Sequence, residues 1–418
     1  MIDLRLVRED PEYVKAALAR RGMEPRIDEL LAIDARRRDA QTRFNALRSR
    51  QKQVGKEVPR LEGDAKQKLL DELKELSEEI KSLQAEEDAA SVELTNLLLE
   101  IPNLPHESVP DGTGDENNVE LRLWGLPPAF DFSVRDHLEI GQALDIIDTE
   151  RAAKVSGARF AFIKGKGALL ELALVRFVVD KLGHHGFAPV VPPVLVRREA
   201  MEGTGFLPTD EQQIYKLADD DLYLVGTSEV SIAAMHQDEF IDTEALPLRY
   251  AGISTCFRRE AGAYGKDTRG IFRVHQFDKV EMFSFAHPDT SWDEHEFLLA
   301  RQEEIFQALE IPYRVVNICA GELGASAAKK YDIEAWLPGQ AAYREVTSCS
   351  NCTDYQARRL KTRFRTESGP HLLHTLNGTA IAVGRAIVAL LENHQRADGS
   401  VEIPHALRHY TGFDRLDP

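Results

Sequence analysis

Two long runs of apolar residues at three- and four-residue spacing occupy the first quarter of the chain. The first is Leu30, Ile33, Arg37, Ala40, Phe44, Leu47, Gln51, Val54 and Val58, with seven of nine positions apolar. The second is Leu69, Leu73, Leu76, Ile80, Leu83, Glu87, Ala90, Leu94, Leu97 and Ile101, with nine of ten apolar. On a helix that spacing returns each residue to one face, so both runs are heptad seams. Pro59-Arg60-Leu61-Glu62-Gly63-Asp64 breaks the pattern between them. The expected unit is an antiparallel helical hairpin, each helix about 30 residues and about 45 Å long.

The two helices differ in charge. Arg36 to Lys56 holds eight basic residues (Arg36, Arg37, Arg38, Arg43, Arg48, Arg50, Lys52, Lys56) against one acid, Asp39, whereas Glu62 to Glu100 holds twelve acids and four lysines. Two readings are open. The helices neutralise each other across the seam flanks, or the outer arginines of the first helix grip phosphate. The net charge of −17 argues against a general nucleic-acid binder, so any such contact needs a local basic patch.

The remaining chain reads differently. At ~150 residues per domain, 418 residues suggest two or three domains. Pro102 to Asn118 carries three prolines, two glycines and Asp-Gly, and is expected to link residues 1–101 to a domain over 119–418. Strand-like runs such as Leu222–Val225 and Tyr313–Val316 lie among helical stretches at Leu169–Leu182, Asp293–Leu309 and Ala380–Glu392. Steady βαβ alternation is missing, so an antiparallel α+β fold is expected rather than a doubly wound one. Walker and Gly-x-Gly-x-x-Gly motifs are lacking, which argues against P-loop and Rossmann chemistry. No apolar run approaches ~18 residues and the first residues form no apolar signal region, so a membrane partner is not expected. Four cysteines are too few for a disulfide scaffold, and a reducing, cytoplasmic compartment is expected. Cys349-x-x-Cys352 has no second close pair to complete a zinc site, so reduced thiols are expected there.

Three constellations carry chemistry. Gly186–Leu195, with Pro189, Pro192 and Pro193, suits an edge or interface strand. Phe257-Arg258-Arg259-Glu260 is followed, after a loop with Gly262, Gly265, Lys266, Arg269 and Gly270, by Arg273-Val274-His275-Gln276-Phe277. On a strand, Arg-x-Glu puts a planar cation suited to phosphate and an acceptor suited to an exocyclic amine on one face, though a cross-strand ion pair reads the same way. Asn377 to Gly384 is a small-residue strand running into a helix at Arg385.

In this order the three resemble motifs 1, 2 and 3 of class II aminoacyl-tRNA synthetases. Gly226-Thr227-Ser228-Glu229, Thr268-Arg269-Gly270, Val274–Phe283 and Glu345–Asp354, together with the helical hairpin, resemble one member, the seryl-tRNA synthetase family of bacterial type. The resemblance runs nearly end to end. It implies an antiparallel sheet flanked by helices, a homodimer formed through motif 1, and, within an N-terminal helical domain of residues 1–101, a long coiled-coil arm over about residues 27–101. It implies that ATP activates serine, which is passed to tRNA(Ser), whose long variable arm the basic helix grips through Arg36, Arg43, Arg48 and Arg50; the selenocysteine tRNA is an expected further acceptor.

The resemblance also assigns residues. Arg258 and Arg385 match the catalytic arginines. The ATP site matches Arg258, Arg259, Glu260, Val274, Phe277, Arg385 and the run Glu345, Val346, Thr347, Ser348. Within that run Glu345 and Ser348 match ligands of Mg²⁺. Thr227, Ser228, Glu229, Arg258, Glu281 and Thr379 match the serine pocket. These residue types suit the reaction. A serine carboxylate is already ionised at neutral pH, so attack on the α-phosphate needs alignment and charge neutralisation rather than a base. Arg259 and Thr347 stand where a serine is more usual, and Ala380, Ala382 and Gly384 depart from the wider class pattern. Two other outcomes share the fold: a ligase loading an amino acid onto a carrier protein, and a non-catalytic binding protein. The long arm argues against the first, and intact Arg258, Glu260, Glu345 and Arg385 against the second.

Overall fold

The two seams fold as α1 (Ile27–Glu57) and α2 (Gly63–Glu100) in the computed structural model, 31 and 38 residues long. At 1.5 Å per residue they span about 46 and 57 Å. A single 3-10 turn, Val58–Arg60, joins them with Pro59 in its first turn, where a missing N–H costs nothing. The second helix starts at Gly63, inside the stretch expected to break the pattern. Leu30, Ile33 and Ala40 are buried against Leu76, Ile80, Leu83, Ala90, Leu94 and Leu97, and toward the tip Phe44, Leu47, Val54 and Leu73 remain half-buried between exposed flanks. The polar seam positions Arg37 and Glu87 meet as an ion pair at 3.7 Å.

The structure describes every residue except 25, 263–266 and 268. Thus Gly265, Lys266 and Thr268 of the second motif lie outside the described residues. The described chain divides into one unit of Ile2–Ala19 and Met23–Ile101, and another of Met1, Arg20–Gly22 and Pro102–Pro418. The segment expected as a linker has only one 3-10 turn, but its start is firmly anchored in the second unit. Asn103 Nδ2 donates to Ser326 O (2.9 Å), Cys352 O (2.8 Å) and Thr353 Oγ1 (3.0 Å).

The second unit is built on an eight-stranded sheet. Its strands are β1 (Val119–Trp124), β2 (Ala188–Val190), β3 (Leu248–Phe257), β4 (Gln276–Ala286), β5 (Tyr313–Asn317), β6 (Lys329–Leu337), β7 (Ala342–Asn351) and β8 (His374–Ala382). Their order is β1-β5-β6-β7-β8-β4-β3-β2. Neighbours run antiparallel except β2, which lies parallel to β3. Pro189 sits in that edge strand, where no second neighbour needs its N–H.

One face of the sheet is covered by α3 (Lys166–Gly183), α5 (Ser291–Ala308) and α6 (Val383–Asn393); α4 (Glu229–Met235) lies elsewhere. Leu170 and Leu174 from α3, Leu298 and Ile305 from α5, and Ile387 and Leu390 from α6 pack against Val280, Met282 and Ile333. The helix expected from Ala380 begins only at Val383, because Ala380–Ala382 still belong to β8 alongside β4. No helix among the described residues is long and apolar enough to cross a membrane. The four cysteines are free and buried, and burial pushes the Cys349 and Cys352 thiols well up. No cluster of three or more metal-ligating side chains occurs among the described residues.

Candidate active site

Alternation along β4 separates two environments. Val280 and Met282 point into the helical core, while Phe277 and Lys279 line a cleft of about 290 Å³ on the opposite face. Two bulges then place residues that simple alternation would have separated. Between β6 and β7, Ile333 pairs with Thr347 and Glu334 with Glu345, so Val346 is an extra residue. Residues three apart on a regular strand face opposite ways; the bulge returns Ser348 to the side of Glu345, and both line the cleft. Between β4 and β8, Val280 pairs with Ile381 and Glu281 with Thr379, leaving Ala380 extra, and Thr379 and Ala382 both line the cleft.

Strand pairing brings the expected amino-acid pocket together. Glu229 is buried, and its Oε1 accepts from Gln356 Nε2 (2.7 Å) and Asn377 Nδ2 (2.9 Å). Thr227 Oγ1 accepts from the Glu229 backbone N–H (3.3 Å). Thr379 Oγ1 donates to Glu281 Oε2 (3.1 Å). Ser228 is turned away, its hydroxyl donating to Gly252 O at 3.4 Å. Lys279, which no motif singles out, is buried in the centre. Its ammonium ion-pairs with Glu281 and donates to Thr227 Oγ1 (2.7 Å) and Thr379 Oγ1 (3.3 Å). Its place two residues from both Phe277 and Glu281 was the available signal. Gln356 and Asn377 were missed as well, since they meet Glu229 only through the fold.

Burial and the neighbouring Glu281 push the Glu229 carboxyl up to about 7, against the opposing pull of Gln356, Lys279 and Arg258. A ligand ammonium needs the ionised form. Below about pH 7 the free site therefore has to lose a proton to bind, and above it does not. We expect kcat/KM for the amino acid, measured at saturating ATP, to fall about tenfold per pH unit below that point. A profile flat from pH 5.5 to 8 contradicts the placement of Glu229.

The nucleotide end differs from expectation in one respect. Strand β3 stops at Phe257, so Arg258, Arg259 and Glu260 lie beyond it, and Glu260 adopts a left-handed backbone (φ 50°). A shared strand face therefore does not position Arg258 and Glu260. Backbone bonds do so instead: Arg258 N–H donates to His275 O (3.0 Å) and Arg259 N–H to Gln213 O (2.9 Å). The Arg258 guanidinium donates to Gly226 O (3.3 Å) and lies over the Phe277 ring at 5.4 Å. Glu260 is held by Arg273 at 2.9 Å. Arg258, Glu260, Val274, Phe277, Val346, Thr347 and Arg385 all line the cleft. Arg259 does not; it is exposed. The Thr347 hydroxyl is buried without a partner.

Arg385 sits over the Phe272 ring (5.0 Å) and donates to Glu345 Oε1 (3.2 Å). Burial alone raises the Glu345 carboxyl, but Arg385, Lys330 and Arg258 outweigh it and hold it below its usual range. An ionised carboxylate beside the Ser348 hydroxyl on one cleft face offers hard oxygen donors. Two such donors fit Mg²⁺, which keeps waters and phosphate oxygens in its other positions. The cleft shares Phe272, Arg273, Glu345 and Arg385 with a wider cavity of about 630 Å³, also lined by Arg314 and Arg344.

On the hairpin, three of the four singled-out arginines are paired with acids: Arg36 with Glu93, Arg43 with Asp39 and Glu79 (both 3.8 Å), and Arg50 with Glu72 (2.6 Å). Arg48 lies over the Phe44 ring and donates to Gln51. The neutralising reading thus describes real contacts. Arg36, Arg43 and Arg50 nevertheless stay 47–62% exposed, and exposed pairs of this kind are worth about 0–1 kcal/mol.

The sheet and its cleft define a class II aminoacyl-tRNA synthetase core. Residues 214–394 match the model of the tRNA synthetase class II core domain (G, H, P, S and T), and residues 1–105 match that of the seryl-tRNA synthetase N-terminal domain. The chain is 54% identical to the serine--tRNA ligase of Thermobifida fusca, across all of this chain and 99% of that protein. It superposes on the seryl-tRNA synthetase of Pyrococcus horikoshii complexed with ATP with a TM-score of 0.96, at 45% identity and full coverage of both chains. The serine-tRNA ligase of Naegleria fowleri in complex with AMP gives 0.90 at 35% identity, covering all of this chain and 99% of that one. The chain belongs to the seryl-tRNA synthetase family.

Proposed function

We propose that the chain activates serine with ATP and transfers it to tRNA(Ser). The observation that carries this reading is the pocket of Thr227, Glu229, Lys279, Glu281 and Thr379 beside Arg258, which offers carboxylates for one ammonium and one small hydroxyl. Serine's carboxylate oxygen attacks the α-phosphorus of ATP, forming the mixed anhydride and expelling pyrophosphate. Arg258 and Arg385 neutralise the charge that gathers on the phosphates. Phe277 gives the adenine an aromatic face, and Glu260 can accept from its amino group. In the second step a tRNA ribose hydroxyl attacks the serine carbonyl and AMP leaves.

Glu345 and Ser348 would hold Mg²⁺, which supplies further phosphate charge neutralisation when bound. Residues 1–101 form an N-terminal helical domain whose arm, about 27–101, binds tRNA, with Arg36, Arg43, Arg48 and Arg50 at the long variable arm; residues 119–418 form the catalytic domain, with 102–118 between them. The selenocysteine tRNA is a further acceptor on the same reading. A homodimer through the first motif is supported by exposed Leu169, Leu172 and Val191 on α3 and beside β2. The compartment is the cytoplasm. Serine-dependent ATP–pyrophosphate exchange, run against a panel of amino acids, tests the activation step. Exchange with serine alone is expected; exchange with a different amino acid and not with serine overturns the reading.

A further inference from the structure

Lys279 is 5% exposed and can only donate. Its three N–H bonds go to Glu281 Oε2, Thr227 Oγ1 and Thr379 Oγ1, so each threonine oxygen accepts there and must turn its own proton elsewhere. Thr379 gives its proton to Glu281 Oε2. Glu281 is thereby kept as an acceptor with its second oxygen in reserve. Thr227 also accepts from the Glu229 N–H, which leaves its hydroxyl proton for a ligand. With all three ionised, Glu229, Glu281 and Lys279 carry one net negative charge, the complement of one ammonium. Among the described residues, the other charged or titratable groups facing this set are the thiols Cys256, Cys349 and Cys352 and the Arg258 cation, which is left for the substrate's carboxylate and the phosphate.

We propose that Lys279 is the positioning residue that sets the pocket's selectivity. By bonding Glu281, Thr227 and Thr379 together, it presents an acceptor to the substrate's side-chain hydroxyl and leaves one uncompensated negative charge for its ammonium. This rests on the proposed serine activation. Without the lysine, two carboxylates share a buried space with no ammonium between them, and one takes up a proton. Glu281 also loses the bond that fixes its carboxylate toward the pocket, so an analogue lacking the hydroxyl is rejected less strongly.

The test is amino-acid-dependent ATP–pyrophosphate exchange by Lys279→Met, with circular dichroism as folding control. The serine KM should rise about 30- to 100-fold, with the ATP KM within about threefold. The preference for serine over alanine should fall, and the acidic limb of kcat/KM for serine should move to higher pH. A lysine that merely supports structure predicts equal losses for serine and ATP with the limb in place, and that outcome overturns the proposal, as does an unchanged serine KM. If Lys279→Met does not fold, Lys279→Gln is judged by the same criteria. Independently of any variant, the unmodified chain should exclude 2,3-diaminopropionate at pH 8, because its side-chain ammonium meets Lys279; competition as strong as serine's contradicts the proposal. If the unmodified chain gives no serine-dependent exchange, the assignment of serine fails rather than the role of Lys279.

Discussion

Arg258→Ala should lower serine-dependent pyrophosphate exchange by about 10²–10³, equivalent to ~3–4 kcal/mol of transition-state stabilisation. The guanidinium leaves the end of β3, is steered by a bond to Gly226 O, and lies against Phe277 between the amino-acid pocket and the nucleotide cleft. In the proposed reaction that position faces both the attacking carboxylate and the α-phosphate, so its charge is expected to matter most as the two anions meet. Among the described residues the guanidinium's contacts are one carbonyl and one ring face, so the variant should keep its secondary structure and oligomeric state. The loss should appear in kcat rather than in the serine KM alone. Near-normal exchange by the folded variant contradicts the assignment.

Deleting Arg36–Leu97 and closing the gap with a short turn should leave serine activation largely intact and abolish tRNA charging. The cleft residues all belong to the unit that contains Pro102–Pro418, whereas the hairpin buries its own seam. With −17 overall, RNA binding has to concentrate where the sign reverses, and residues 36–56 are the local candidate. The arginines' exposed pairs with Glu72, Glu79 and Glu93 are weak enough for phosphate to displace the acids. The smaller change, Arg43, Arg48 and Arg50 to Ala, should weaken tRNA binding and flatten its salt dependence by about 0.7–0.9 log units for each phosphate that is no longer neutralised. If those arginines serve only the acidic helix, the triple variant melts at lower temperature but binds tRNA with unchanged affinity and slope.

Local periodicity made the hairpin legible: apolar seam positions carry the burial, and the two polar seam residues, Arg37 and Glu87, face each other. The motif residues were legible as a set because their order is distinctive, and the pairing of β4 with β8 does bring Glu281 to Thr379. Features that depend on distant segments were not. Where β3 stops is decided by its pairing with β4, so Arg-x-Glu looked like strand when it is loop. The extra residues Val346 and Ala380 are invisible until the partner strands are known, yet they place Ser348 and Thr379. Lys279 lies inside the Val274–Phe283 stretch but received no role there; only the convergence of β4, β8 and the turn at Thr227 shows what it bonds. Arg259 shows the reverse case, a residue inside a motif whose side chain stays in solvent.

The measurement that bears most directly on the account is aminoacylation itself. The full chain is incubated with labelled serine, ATP, Mg²⁺ and tRNA(Ser) transcripts with and without the long variable arm, and alkali-labile label on the RNA is counted. ATP-dependent serine ester is expected on the intact tRNA and very little on the tRNA lacking its variable arm. Serine-dependent exchange with no ester on either RNA would point to another acceptor, such as a carrier protein, and contradict that expectation.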